Sequence, residues 1–224
     1  MLLKKCKIGY MFLLFSIKLL TLSDFFDILA KSSLLTLKKC VGVLLNMKKE
    51  WNTVEVLRHV RHDWLNKLQL IKGNIDLNKM DRVKEIIGEI VVEAQHETKL
   101  SNLNLPHFTS LLLLHNWETE SFKLEFEVID DYKRGILDDN ELTQWTSTFF
   151  TILNESIKSY YDNHLILTIE QQQDGLRFFF DFCGIIENKE SLEPFLHNTS
   201  FGIDVIQFDM NERELTLEVM IPYK

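Results

Sequence analysis

Along Val54–Ile75 apolar residues return at intervals of three and four: Val54, Leu57, Arg61, Trp64, Leu68, Ile71 and Ile75. This is the a/d spacing of a helix that packs on other helices, and only Arg61 breaks the apolar stripe. The pattern predicts a helix from about Trp51 to Leu77, about 40 Å long at about 1.5 Å per residue. Gly73 weakens its last turns, and Asn78-Lys79-Met80-Asp81 reads as a short turn in which Asp81 caps the next helix. That second helix is expected from about Arg82 to Asn102, with Val83, Ile86, Ile87, Ile90, Val91, Ala94 and Leu100 on its apolar side. So short a connection makes the two helices antiparallel neighbours. Two helices cannot enclose a stripe of this width. Pairing two hairpins into a four-helix bundle closes it, so a homodimer is expected.

Pro106 ends the hairpin, and the texture then changes. Phe108–Trp117 reads as a short apolar helix. Lys123–Asp130 alternates Leu124, Phe126 and Val128 with polar residues, the pattern of a half-buried strand. A helix is predicted over Glu141–Tyr161. Strands are expected at His164–Glu170 and Leu176–Cys183, joined through an Asp174-Gly175 turn. A weak helix at Ser191–Leu196 precedes a closing hairpin of Val205–Met210 and Leu215–Ile221 across Asn211-Glu212-Arg213. The class is α+β, a helical hairpin followed by an α/β sandwich. The expected parts are a leader over residues 1–46, a hairpin over 47–104 and a C-terminal domain over 105–224.

Charge narrows the partners. The 224-residue chain carries a net charge of −8, which disfavours nucleic acid, whose phosphates would be repelled. Residues 47–80 run against this, with seven basic residues and four acidic ones. A locally basic helix in an acidic protein suits a partner that offers an acidic pocket. Cys6, Cys40 and Cys183 are sparse and far apart, which fits a reducing compartment, and the expected location is the cytoplasm. The leader holds an apolar run at Ile8–Ile17 behind Lys4, Lys5 and Lys7. Lys18, Asp24, Asp27 and Lys31 interrupt it before it is long enough to span a bilayer, so no membrane association is expected. The leader is a weakly amphipathic or disordered extension, or it is not made because translation begins at Met47.

The chemistry gathers on the first helix. Arg58, His62, Asn66 and Gln69 succeed one another along the flank of the apolar seam, since residues four apart share a face. An imidazole is largely neutral near pH 7, so a ring nitrogen attacks phosphorus without first shedding a proton. Catalysis then reduces to alignment and charge neutralisation. Arg58 is placed to pair with phosphate oxygens, Asn66 to hydrogen-bond the distal ring nitrogen and fix the tautomer, and Lys67 to add positive charge. Asp63, adjacent in sequence, is not expected to face His62 directly; it is left to position a partner's side chain or to accept the ring proton. A lone surface histidine is most often inert, and it is the Arg58–His62–Asn66 line that argues otherwise. His59, His62 and Asp63 lack a third ligand at metal-site spacing, so no metal is expected on this chain. His96, His107, His115, His164 and His197 read as structural or solvated.

A nucleotide-using kinase needs glycine loops that let backbone N–H groups approach phosphates. No G-x-G occurs among the eight glycines. Asp181-Phe182-Cys183-Gly184-Ile185 lacks a second glycine, and Leu153–Lys158 with Asn154 is at most a remnant of a magnesium-binding helix. ATP binding is not expected.

The run Arg61–Asn74 (RHDWLNKLQLIKGN) resembles the sporulation initiation phosphotransferase B family of spore-forming bacilli. Asp81-Arg82-Val83 and His96–Leu103 (HETKLSNL) carry the likeness further. It continues more weakly through Pro106-His107, Asn116-Trp117, Leu124–Val128 and Asn163-His164-Leu165, and covers about Met47 to the C-terminus. The resemblance implies a dimeric phosphorelay protein. It would take a phosphoryl group from the aspartate of one response regulator onto His62 and pass it to the aspartate of a sporulation transcription regulator. It also implies a C-terminal domain like a degenerate histidine-kinase ATPase domain, and a Mg2+ ion held by the receiver. Two alternatives remain: an ATP-dependent sensor histidine kinase and a non-catalytic dimeric adaptor.

Overall fold

A computed structural model describes residues 51–129, 135–197 and 203–224. The readings of the leader over residues 1–46 lie outside the described residues. The described chain falls into two units that divide between Arg58 and His59. The described part of the first unit opens helix α1 (Thr53–Asp76), where Asn52 Oδ1 accepts the Glu55 N–H at 3.0 Å and caps the first turn.

Helix α1 ends in a tight left-handed stop. Asn78 has φ 55°, Asn78 N donates to Ile75 O at 2.9 Å and Lys79 N to Asn74 O at 2.8 Å. Those two bonds satisfy carbonyls that the helix leaves open, with asparagine at the position where a left-handed conformation costs it least. Helix α2 (Met80–Asn102) starts at once, with Lys79 at its cap position and no side-chain cap bond. Asp81 therefore does not cap α2; the helix begins a residue before it, and Asp81 lies in its first turn. Lys67 on α1 pairs with Glu93 on α2, tying the two helices together. Gly73 is carried within α1.

The apolar seam is mostly uncovered in the single chain. No residue of α1 is buried, and Leu57, Trp64 and Leu68 are 58%, 50% and 55% exposed. Val83 and Ile86 on α2 are buried, but Ile87, Val91 and Val92 are exposed. Two antiparallel rods have contact on one side only, so the rest of each stripe faces outward.

The remaining elements build a two-layer sandwich. Helix α3 (Pro106–Glu118) opens on proline at its first position, where the missing N–H costs nothing. Strand β1 (Lys123–Val128) is followed by α4 (Asp139–Ser156), capped by Asp138 through the Asn140 and Glu141 N–H groups. Strands β2 (His164–Gln171) and β3 (Gly175–Cys183), helix α5 (Lys189–Leu196), and strands β4 (Asp204–Met210) and β5 (Glu214–Pro222) complete the order. The sheet runs β1-β2-β3-β5-β4, with β1 parallel to β2 and the other pairs antiparallel. The period-two alternation turns Leu165, Leu167 and Ile169 of β2 and Phe178, Phe180 and Phe182 of β3 inward. They meet Phe108 and Leu112 of α3 and Trp145, Phe149 and Leu153 of α4 in one core.

Two predicted boundaries move for physical reasons. Helix α4 stops at Ser156, short of Tyr161, because the chain there turns to pair with the segment after β3. Ser156 O accepts from Glu187 and Asn188, Lys158 N donates to Ile185 O, and Ile157 bridges Ile186. Gly175 opens β3 instead of completing the turn, and a side chain there would collide with the Ile221 carbonyl of β5. The hairpin across Asn211–Arg213 forms as expected, with Asn211 Oδ1 accepting the Arg213 and Glu214 N–H groups at 2.7 and 3.0 Å.

Within the larger unit, hairpin and sheet domain are joined by polar contacts as well as by Leu100, which is buried in the common core. Val128 N donates to His96 Nδ1 at 3.1 Å, and Lys99 Nζ donates to the Val128 and Ile129 carbonyls, each at 3.1 Å. Trp117 of α3 also reaches the hairpin, its indole bonding to Asp63 on α1. His115, also on α3, lies between Phe122 and Phe150, with ring centroids 4.4 and 4.9 Å away.

Burial pushes the His115 imidazole from 6.5 down to about 4, and a hydrogen bond with the Phe122 backbone only partly opposes this. Between those limits the unfolded chain binds a proton that the folded one refuses, so stability falls as pH drops through that window. The full effect is about 3 kcal/mol at roughly 1.4 kcal/mol per pKa unit. Urea unfolding of wild type and His115→Leu at neutral and mildly acidic pH checks this. The variant should lose about 2 kcal/mol less over the same interval, and equal losses would contradict the assignment.

Candidate functional site

Helix periodicity sets Arg58, His62, Asn66 and Gln69 along one line of α1. The His62 side chain is 71% exposed, so the imidazole is presented to solvent and not packed in a core. Its Nδ1 has two neighbours: Asp63 Oδ1 at 3.3 Å and the Asn66 amide at 3.2 Å. Among the described residues Nε2 has no hydrogen bond. The i+4 spacing brings Asn66 to the ring, but onto Nδ1, the nitrogen nearer the main chain, and not onto the expected distal nitrogen.

Asp63 departs from the sequence expectation, because its carboxylate does reach the ring. The cause lies far along the chain: Trp117 Nε1 donates to Asp63 Oδ2 at 2.9 Å. With that oxygen engaged, Oδ1 is left toward His62. The Trp117 indole also stacks on His59, with centroids 5.2 Å apart and planes 25° from parallel. His59 thus turns to Trp117, and His62 turns to Asp63 and Asn66. Spacing along α1 gave no sign of Trp117, because the partner is 54 residues away.

These contacts select a protonation pattern. A carboxylate oxygen facing a bare Nδ1 lone pair is repulsive, whereas facing Nδ1–H it accepts a charge-assisted hydrogen bond. As placed, the Asn66 atom against Nδ1 is Nδ2, a donor that would favour a bare lone pair there; a half-turn of the amide brings Oδ1 to that position as an acceptor for Nδ1–H. With the amide so turned, the Asp63 contact favours the tautomer with its proton on Nδ1 and its lone pair on the open Nε2. An exposed ring nitrogen, with a carboxylate behind the other nitrogen, is the chemical content of the site.

The other proposed members stand apart from this group. Lys67 is engaged with Glu93, and its ammonium lies 5.8 Å from the Trp64 ring, so its charge is largely offset. Nearby Glu97 is held above the usual carboxylate range, first by burial and then by the charge of Glu93. Gln69 is exposed and has no hydrogen bond to the imidazole among the described residues. Arg58 is exposed.

In the sheet domain Asn154 is exposed on α4 and Asp181 on β3. Gly184 is buried against the Asn163 side chain and the Phe182 ring, so that a Cβ there would collide with both. Asn163 donates to the Ser121 and Lys158 carbonyls, both at 2.9 Å, and accepts from Ile185 N at 3.1 Å. Asn163 thus holds the first two residues after β3, Gly184 and Ile185.

Comparison with known proteins bears on both parts of the chain. Residues 46–103 match a family model described as the alpha-helical domain of Sensor_kinase_SpoOB-type. Residues 104–222 match one described as sporulation initiation phospho-transferase B, C-terminal. The chain is 34% identical over 168 residues to sporulation initiation phosphotransferase B of Bacillus subtilis (strain 168), covering 74% of this chain and 88% of that protein. Among solved structures, the catalytic domain of histidine kinase ThkA aligns over 55% of this chain and 92% of its own, at 15% identity and TM-score 0.40. Acinetobacter baumannii histidine kinase AdeS aligns over 73% of this chain and 98% of its own, at 10% identity and TM-score 0.39. With both of its parts matched and a relative 34% identical over 168 residues, the chain belongs to the sporulation initiation phosphotransferase B family.

Proposed function

We propose that the chain is the intermediary of a phosphorelay, carrying a phosphoryl group on His62 between the aspartates of two response-regulator receiver domains. The observation that carries this reading is the exposed imidazole whose Nδ1 is engaged by Asp63 and Asn66 while Nε2 stays open. In the first step the Nε2 lone pair attacks the phosphorus of an acyl phosphate on the donor aspartate. The P–N bond forms, the P–O bond breaks, and its electron pair leaves with the donor carboxylate. The ring becomes cationic and keeps its Nδ1 proton, and Asp63 offsets that charge. In the second step the acceptor aspartate of a sporulation transcription regulator attacks the same phosphorus, and the electron pair returns to Nε2.

The chain supplies position and charge for both steps. Arg58 extends the basic run toward the incoming phosphate, and Lys67 contributes less because Glu93 neutralises it. Mg2+ belongs to the receiver's acidic pocket, and this chain needs no cofactor. The uncovered stripe on α1 and α2 is the dimer surface, so residues 47–104 serve both assembly and transfer. Residues 105–224 form the degenerate kinase-like domain, and the protein works in the cytoplasm. Among the described residues no helix is long and apolar enough to cross a membrane.

Labelled phosphate distinguishes the readings. Label reaching His62 only from a phosphorylated receiver supports the relay. Label from ATP alone would point to a sensor kinase, and no label from either would point to an adaptor. His62→Ala should abolish transfer with the assembly unchanged by sedimentation; a variant that still passes phosphate defeats the assignment. Asn66→Ala should slow transfer about three- to tenfold, the cost of one ordinary hydrogen bond, and an unchanged single-turnover rate removes its role. Trp64→Asp with Leu68→Asp should turn the dimer into a monomer in sedimentation equilibrium, and a dimer surviving both charges places the interface elsewhere.

A further inference from the structure

We infer that Trp117, on the third helix and far from His62 in sequence, is a positioning residue of the transfer site, acting through Asp63 to set the tautomer of the imidazole. The inference rests on the phosphotransfer reading of His62 and names what the C-terminal domain adds to it. An aspartate beside an exposed histidine has two side-chain torsions and water on every side. Left alone, such a carboxylate would spend little time aimed at its neighbour's ring. Here one oxygen is held by an indole N–H at 2.9 Å, and the other stands 3.3 Å from Nδ1.

The indole is itself held from two directions. Its face lies on the His59 ring, with centroids 5.2 Å apart. Its neighbour Asn116 is clamped to β1, donating to Leu124 O at 2.8 Å and accepting from Leu124 N at 2.9 Å. The last turn of α3 is thus fastened to the sheet by one residue and to the hairpin by the next. A rigid donor of this kind can orient a carboxylate without itself exchanging a proton. Phenylalanine would keep the stack and lose the N–H, which separates positioning from packing.

The test uses the full chain with nitrogen-15 histidine. At alkaline pH, where the ring is neutral, the His62 nitrogen shifts report which nitrogen bears the proton. Wild type should show Nδ1–H, and Trp117→Phe should move the population toward Nε2–H. Phosphoryl uptake from a phosphorylated receiver should fall about tenfold in Trp117→Phe, as expected for loss of one hydrogen bond to a charged group. In an Asp63→Asn background the same substitution should add nothing further. An unchanged tautomer in Trp117→Phe overturns the proposal, as does an equal slowing in both backgrounds. Asp63→Asn leaves the indole in place and gives an independent route: if it too leaves the tautomer unchanged, the proposal fails. A wild type that shows Nδ1–H yet takes no phosphoryl group removes the relay reading and leaves the placement of Trp117 standing.

Discussion

The two nitrogens of an imidazole are joined through one ring, so binding a proton at one sets what the other can do. That coupling is the constraint on which the chemistry of this protein depends. Asp63 and Asn66 both lie against Nδ1 of His62, and only a proton on that nitrogen makes the carboxylate contact favourable. The lone pair is then on Nε2, at the exposed edge of the helix. The protein has little else to do for phosphoryl transfer, which asks mainly for alignment and charge.

In the proposed relay the same helix serves assembly and chemistry, because its two periodic lines are separate. One line is apolar and largely uncovered in the single chain; the other carries Arg58, His62, Asn66 and Gln69. A rod that is held along one face by other helices presents a fixed surface on its flank, which suits the proposed meeting with receiver carboxylates. The sheet domain fastens to that rod through Trp117, and to α2 through His96 and Lys99. It is thereby in contact with the carboxylate behind the reactive ring.

Much of this could be read from the amino-acid order alone. The three-and-four spacing of Val54 to Ile75 and the alternation at Leu165, Leu167 and Ile169 are local signals, and the helices and strands appear where these placed them. Boundaries set by distant partners were not legible. Helix α4 ends at Ser156 because residues 185–188 pair with its end, and Gly175 opens a strand because β5 lies against it. Asp81 fails as a cap because the Asn78 stop lets α2 begin at Met80, two residues earlier than expected. At the site, the His62–Asn66 contact came directly from i+4 geometry. The Asp63 contact did not, since the indole that orients it comes from another helix. Lys67 was read as free charge for a similar reason, its partner Glu93 lying across the hairpin.

The central claim is most directly tested by locating the phosphorus. Phosphorus NMR of the protein loaded from a phosphorylated receiver, with histidine-specific nitrogen labelling, distinguishes the two ring positions. The expected product is a phosphoramidate at Nε2 of His62, with Nδ1 still protonated. Phosphorus on Nδ1 of that ring, or on the neighbouring His59, would contradict it.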